Sequence, residues 1–140
     1  MSTATPTPAS ASAPAEPTVT LIIDGCQVTV PAGTTIWEAA RRLGIDIPVL
    51  CHDPRLRPAG VCRVCVVDVG GRTLAASCVR ACEPGMNVAT ATDKVERQRR
   101  VLVDLLMSDQ PEVCPKESTT GDSALHALAR RYDAFGQDLP

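Results

Sequence analysis

At 140 residues and a formal charge of −2, the chain is long enough for one small domain with appendages and offers no basic excess for a phosphate backbone. Its aromatic residues are Trp37, Tyr132 and Phe135 alone, so base-stacking surfaces are scarce and nucleic acid is excluded as an expected partner. No run approaches about eighteen apolar residues, so no membrane span is expected, and the odd cysteine count with no cationic, apolar leader favours the cytoplasm over a secreted disulfide scaffold.

Residues 1–17 are rich in Ala, Ser, Thr and Pro and carry a single charge at Glu16. They hold too little apolar surface to offset the entropy of ordering, and a disordered tail is expected there. From Thr18 the pattern alternates through Val19, Leu21 and Ile23, reaches Asp24-Gly25, and alternates again through Val28 and Val30. This predicts a β-hairpin around a tight turn.

Thr35 stands three residues before Glu38, an N-cap signature, and Ile36, Ala39, Ala40 and Leu43 supply an apolar helix face that ends at Gly44. Trp37 is expected to pack in this region. The run Ile45 to Leu50 is broken by Pro48 and leads into a loop where Pro54, Pro58 and Gly60 restrict the backbone. Gly60 is read as a site of close approach or of positive φ.

Cys51, Cys62, Cys65 and Cys78 follow, with ten, two and twelve residues between them. A lone CxxC pair is ambiguous among zinc, a redox disulfide and an iron-sulfur cluster. Four thiolates complete a tetrahedral site for one metal, or for the two irons of a bridged 2Fe-2S cluster. Structural zinc sites usually pair two CxxC knuckles, whereas here only one is present, with unequal arms to the outer thiols. Cys26, Cys82 and Cys114 stand beside turn residues or prolines and are read as ordinary small residues outside the ligand set.

Val64, Val66, Val67 and Val69 predict a strand, Gly70-Gly71 a turn, and Arg72 to Ala76 a returning strand that delivers Cys78 to the loop. A short strand from Asn87 to Thr90 is expected to complete one sheet with a crossing helix. Asp93, with Glu96 three residues on, predicts a capped helix to about Met107 bearing Val95, Leu102, Leu105 and Leu106. A last helix over Asp122 to Tyr132 aligns Leu125, Leu128 and Tyr132, a stripe for the core or for another subunit.

Cys51-His52-Asp53-Pro54, Gly60-Val61-Cys62-Arg63-Val64-Cys65, Cys78 and Pro84-Gly85-Met86 together resemble one family. It is the amino-terminal 2Fe-2S domain of the complex I large iron-sulfur subunit, the diaphorase subunit of NAD-reducing hydrogenases, NAD-dependent formate dehydrogenases and iron-only hydrogenases. The resemblance runs from about Thr18 to Phe135. It implies an α+β chain, with a β-grasp ferredoxin-like domain over residues 18–91 and a helical extension over 92–140. It also implies one 2Fe-2S cluster on Cys51, Cys62, Cys65 and Cys78.

In that family a following segment supplies one histidine and three cysteines to a 4Fe-4S cluster. Here Gln110-Pro111 stands for the His-Pro, Cys114 remains, and Glu117 and Ser123 occupy the other two cysteine places, so no 4Fe-4S cluster is expected. The implied role is a non-catalytic electron-transfer subunit of an oxidoreductase. Its implied partner is a flavin or NAD module, or a molybdenum or tungsten catalytic subunit. A free-standing ferredoxin and a zinc-bound or redox-sensing module are the competing readings.

Between Cys51 and Cys82 five arginines, Arg55, Arg57, Arg63, Arg72 and Arg80, outnumber Asp53 and Asp68. They are expected to stabilise a reduced anion, to meet an acidic partner or simply to face solvent. His52 and His126 are expected at the surface.

Overall fold

The computed structural model describes residues 17–136, so the predicted tail lies outside the described residues except for Pro17. The α+β class is as expected. Strands β1 (Thr18–Ile23) and β2 (Cys26–Pro31) form the predicted hairpin, with Thr18 opposite Pro31 and Ile23 opposite Cys26. Its two-residue turn needs left-handed backbone at both positions, and Asp24 (φ 50°) and Gly25 (φ 80°) supply it. The alternation sends Leu21, Ile23 and Val30 into the core.

Helix α1 (Ile36–Arg42) is capped by Thr35, whose hydroxyl accepts from the Glu38 N–H. It buries Ile36, Ala39 and Ala40 against the sheet. Full burial of a side chain such as Ile36 stabilises the fold by about 1.5–3 kcal/mol. Trp37 packs as expected: its indole N–H donates to the Ile47 carbonyl at 3.1 Å and Arg41 lies over the ring.

The single sheet expected is instead two. Strands β3 (Val66–Val67) and β4 (Ala75–Ala76) form a separate antiparallel pair, while β5 (Asn87–Val88) runs parallel to β1 and completes a sheet of order β2-β1-β5. The isolated Asp68–Ala89 bridge joins them. On the edge away from β4, the Val64 and Val66 carbonyls accept from the Arg99 side chain, so pairing toward β5 does not extend past the Asp68–Ala89 bridge.

Helix α2 (Asp93–Ser108) has its cap one residue earlier than expected, because Thr92 holds the extended cap conformation and its hydroxyl accepts from the Val95 N–H. Asp93 then lies in the first turn, where a carboxylate favours the helix dipole. A short helix α3 (Pro115–Thr119), which the sequence pattern does not predict, precedes α4 (Ala124–Tyr132), which Ser123 caps. Leu128, Ala129 and Tyr132 of α4 pack with Val103 of α2 and with Val64, so the stripe belongs to a core.

Residues 64–67 stitch the two halves together. Val64 enters the core under α2 and α4, Val66 packs with Leu74 and Val95, and Cys65 and Val67 turn to the core beneath α1. Leu50 and Cys62 are packed against the helical core as well, so the extension lies directly against the cysteine loop.

The hairpin turn also secures the chain leading into α2. Asp24 accepts from the Thr90 N–H at 2.8 Å and from the Thr90 hydroxyl. Asp24→Ala removes both bonds and puts alanine in a left-handed conformation, so we expect a loss of about 3 kcal/mol, with Asp24→Asn losing less. The denaturant midpoints of the two variants check this. A smaller loss in Asp24→Ala than in Asp24→Asn would contradict it.

Candidate metal centre

The four predicted cysteines are carried by a loop and a hairpin. Cys51 follows the Pro48 segment, Cys62 and Cys65 bracket a tight turn, and Cys78 follows β4. Arg63 occupies the left-handed region at φ 63° within the CxxC turn, a conformation uncommon for a residue with a Cβ and of the kind found where a site dictates the backbone. Gly60, at φ 66°, serves both expected purposes: an added Cβ would lie 3.0 Å from Val79 Cγ1.

Two ties set the geometry. On the outer side the Cys62 N–H donates to Cys51 Sγ at 3.5 Å, and both residues are half-buried. Burial raises the Cys51 thiol, but the backbone N–H groups of Cys62, Val61 and Gly60 and the Cys62 thiol outweigh it and hold Cys51 below its ordinary pKa. On the inner side Cys65 and Cys78 are buried. The Cys65 carbonyl accepts from the Ser77 N–H at 3.3 Å and the Ser77 hydroxyl at 2.6 Å, which binds one inner thiol segment to the residue before the other.

Cys78 is pushed up to about 12, first by burial, then by its hydrogen bond with Cys65 and by negative charge on Cys65, Cys51 and Cys62. Cys65 and Cys78 are thus hydrogen-bonded neighbours, and the charge of the outer pair is felt at Cys78. Among the described residues no three His, Cys, Asp or Glu side chains draw together tightly enough for one ion. Cys51, Cys62, Cys65 and Cys78 would hold a 2Fe-2S cluster, which would supply one-electron chemistry. Four thiolate donors with amide N–H groups aimed at an outer sulfur fit that cluster.

The remaining cysteines lie elsewhere. Cys26 is exposed on β2. Cys82 is buried, its N–H donating to the Thr34 carbonyl, and its thiol is raised by burial and by Glu38 against the opposing pull of Arg42. Cys114 is the N-cap residue of α3. Glu117 and Ser123 are engaged in polar contacts: Glu117 pairs with Arg130 at 2.6 Å and accepts from the Ser123 N–H, and Ser123 Oγ lies 2.9 Å from His126 Nδ1.

Two surface readings, those of His52 and His126, need correction, while Arg55 stays exposed as one reading of the arginines had it. His52 is half-buried, its ring edge-on to Trp37 at 4.7 Å, with Nδ1 buried and unpartnered among the described residues. His126 is half-buried against Ser123. Arg55 grips Asp53 through Nε and Nη2 at 3.0 and 2.7 Å, which lowers the Asp53 carboxyl to about 2. Sequence reasoning also missed Arg99, a buried side chain that bonds to the carbonyls on either side of Cys65. An arginine at an inward helical position among Val95 and Leu102 was the available signal.

An α+β frame with a CxxC loop and a further cysteine on each side of it is the frame of an iron-sulfur protein of the ferredoxin class. The chain belongs to the 2Fe-2S iron-sulfur cluster binding domain family, whose profile matches residues 16–93, and its cofactor is a 2Fe-2S cluster. It is 41% identical over 136 residues to a NADH-quinone oxidoreductase subunit of Streptomyces coelicolor, covering 94% of this chain and 16% of that protein. It is 41% identical over 120 residues to the NADP-reducing hydrogenase subunit HndD of Solidesulfovibrio fructosivorans, covering 81% and 20%. Among solved structures, a chain of a NAD+-reducing NiFe-hydrogenase in the H2-reduced state matches with a TM-score of 0.76 and 34% identity, over 86% of this chain and 51% of that one. The chain thus spans about a fifth or less of the two curated relatives.

Proposed function

We propose that Cys51, Cys62, Cys65 and Cys78 hold a single 2Fe-2S cluster and that the chain relays one electron at a time between subunits of a NAD(P)-linked oxidoreductase, without substrate chemistry of its own. The observation that carries this reading is the pairing of the thiol segments, Cys62 with Cys51 at a half-buried position and Cys65 with Cys78 at a buried one. When bound, the cluster supplies a one-electron couple whose charge passes from about −2 to about −3. The chain's own residues then have three tasks. The loop N–H groups favour the thiolate form of Cys51, Ser77 aligns the inner pair, and the cores on either side exclude water from Cys65 and Cys78.

A relay needs neighbours, and the surface beside the outer thiols supports docking. Leu56, Val61 and Val79 are 70%, 73% and 44% exposed. Arg57 and Arg63 form no ion pair with any described residue and remain available for an acidic partner. The hydrogenase and NADH-quinone oxidoreductase relatives favour a partner with a flavin or NAD module over a molybdenum or tungsten formate dehydrogenase. No helix among the described residues is long and apolar enough to cross a membrane. The Glu117–Arg130 and Ser123–His126 contacts support the absence of a second cluster, since they engage the groups that replace its ligands.

The test is anaerobic purification, iron and acid-labile sulfide assay, and electron paramagnetic resonance after dithionite reduction. About two irons and two sulfides per chain with a spin-half signal are expected. Zinc without sulfide would reject the relay, and about six irons would reject the single cluster.

A further inference from the structure

The largest fully buried side chain among the described residues is charged. Arg99, near the middle of α2, is 1% exposed and is enclosed between the helix and the strand that carries Cys65. Its Nε donates to the Val64 carbonyl at 3.1 Å and its Nη2 to the Val66 carbonyl at 2.7 Å. These are the two carbonyls flanking Cys65. The Cys65 carbonyl points to the other edge of the strand, where Ser77 donates to it. The inner ligand segment is therefore held from both edges, by α2 on one side and by the residue preceding Cys78 on the other.

Shape alone does not account for an arginine here. Burying an isolated cation is unfavourable by several kcal/mol unless its surroundings compensate, and an apolar side chain would fill the volume without that penalty. Among the described residues the guanidinium's carboxylate contact is Glu96 Oε1 at 3.2 Å, and that glutamate side chain is 45% exposed and thus partly screened by water. Positive charge is left facing the Cys65 strand. Its planar fork also reaches two carbonyls at once, which a single ammonium on a flexible stem does not reproduce.

We propose that Arg99 is a positioning and potential-setting residue of the centre: its fork fixes the two peptide carbonyls around Cys65, and its buried charge favours the more negative, reduced state of the cluster. The helical extension thereby governs how firmly the cofactor is retained and how readily it accepts an electron. The inference rests on Cys65 and Cys78 being ligands, as in the proposed function. In the redox step one electron from the donor is added to the cluster, no bond to Arg99 forms or breaks, and the guanidinium keeps its protons.

Full-length wild type, Arg99→Gln, Arg99→Lys and Glu96→Gln are purified anaerobically and assayed for iron and sulfide. A wild type lacking iron and sulfide overturns the ligand assignment itself, before Arg99 is tested. With loaded protein, two quantities are read: the midpoint potential in a mediated dithionite titration, and the rate of iron loss to a chelator. Arg99→Gln is expected to shift the reduction equilibrium about tenfold against the reduced state, a fall of about 59 mV for a one-electron couple, and to release iron several-fold faster. Arg99→Lys keeps the charge and loses the fork, so faster release with a midpoint close to wild type is expected. Glu96→Gln removes the exposed counter-charge and should move the midpoint upward, about two- to threefold in equilibrium constant.

If Arg99→Gln fails to fold or load, the other two variants decide. An unchanged release rate in Arg99→Lys overturns the positioning role, and an unchanged midpoint in Glu96→Gln overturns the electrostatic one. A purely structural peg would leave every loaded variant at the wild-type potential.

Discussion

Cys65→Ser or Cys78→Ser is expected to reduce bound iron and sulfide to background and to destabilise the domain by a few kcal/mol. Both thiols are buried and hydrogen-bonded to each other, so a serine hydroxyl there is a poor iron ligand in a place water does not reach. The structural consequence follows from the loops. The quartet closes chain segments with ten, two and twelve intervening residues, and a cross-link over a loop of roughly this size restricts the unfolded chain by about 3 kcal/mol. Without the cluster, the left-handed Arg63 turn and the Gly60 approach lose the group that over-determines them.

The contrast variants sharpen the expectation. Cys26→Ser and Cys114→Ser should keep full iron content, because one side chain is exposed on the hairpin and the other heads α3. Cys82→Ser places a hydroxyl in a buried apolar setting and should lower the melting temperature while retaining iron. Metal analysis with thermal unfolding reads all five proteins. Iron loss in Cys114→Ser, or a loaded Cys78→Ser, would overturn the assignment.

What the sequence disclosed was local. The β1–β2 register follows from a period of two and one turn dipeptide, and α1 follows from Thr35 and an apolar face; both need only neighbouring residues. The cysteine spacing identified the candidate centre because thiols are scarce and their chemistry restrictive. Contacts between distant segments were hidden. Nothing near Val64 announces that its carbonyl is bonded by a side chain 35 residues later, and that contact occupies the edge on which β3 would otherwise pair further toward β5. His52 was misread for the same reason, since only the fold brings Trp37 to its ring. The α2 cap moved by one residue because Thr92 and Asp93 both suit the position and the backbone chose between them.

Gly60→Ala is the second substitution expected to have a large effect, and its two causes are separable. The backbone at φ 66° disfavours any residue with a Cβ, by roughly 1–2 kcal/mol for left-handed geometry. The new methyl would also lie 3.0 and 3.3 Å from the two Val79 methyl carbons. Val79 directly follows the ligand position Cys78, and Gly60 contributes an N–H toward Cys51, so displacement at this contact disturbs both thiol pairs. We expect a combined loss of about 2–3 kcal/mol and faster release of iron. Val79→Ala alone, at a half-exposed position, should lose under about 1 kcal/mol. In the double variant the steric part is relieved and the φ part remains, so stability should recover by about 1 kcal/mol relative to the sum of the single effects. Denaturant midpoints of the four loaded proteins form the cycle. Strict additivity would remove the contact as a cause and leave backbone conformation alone as the reason for glycine at position 60.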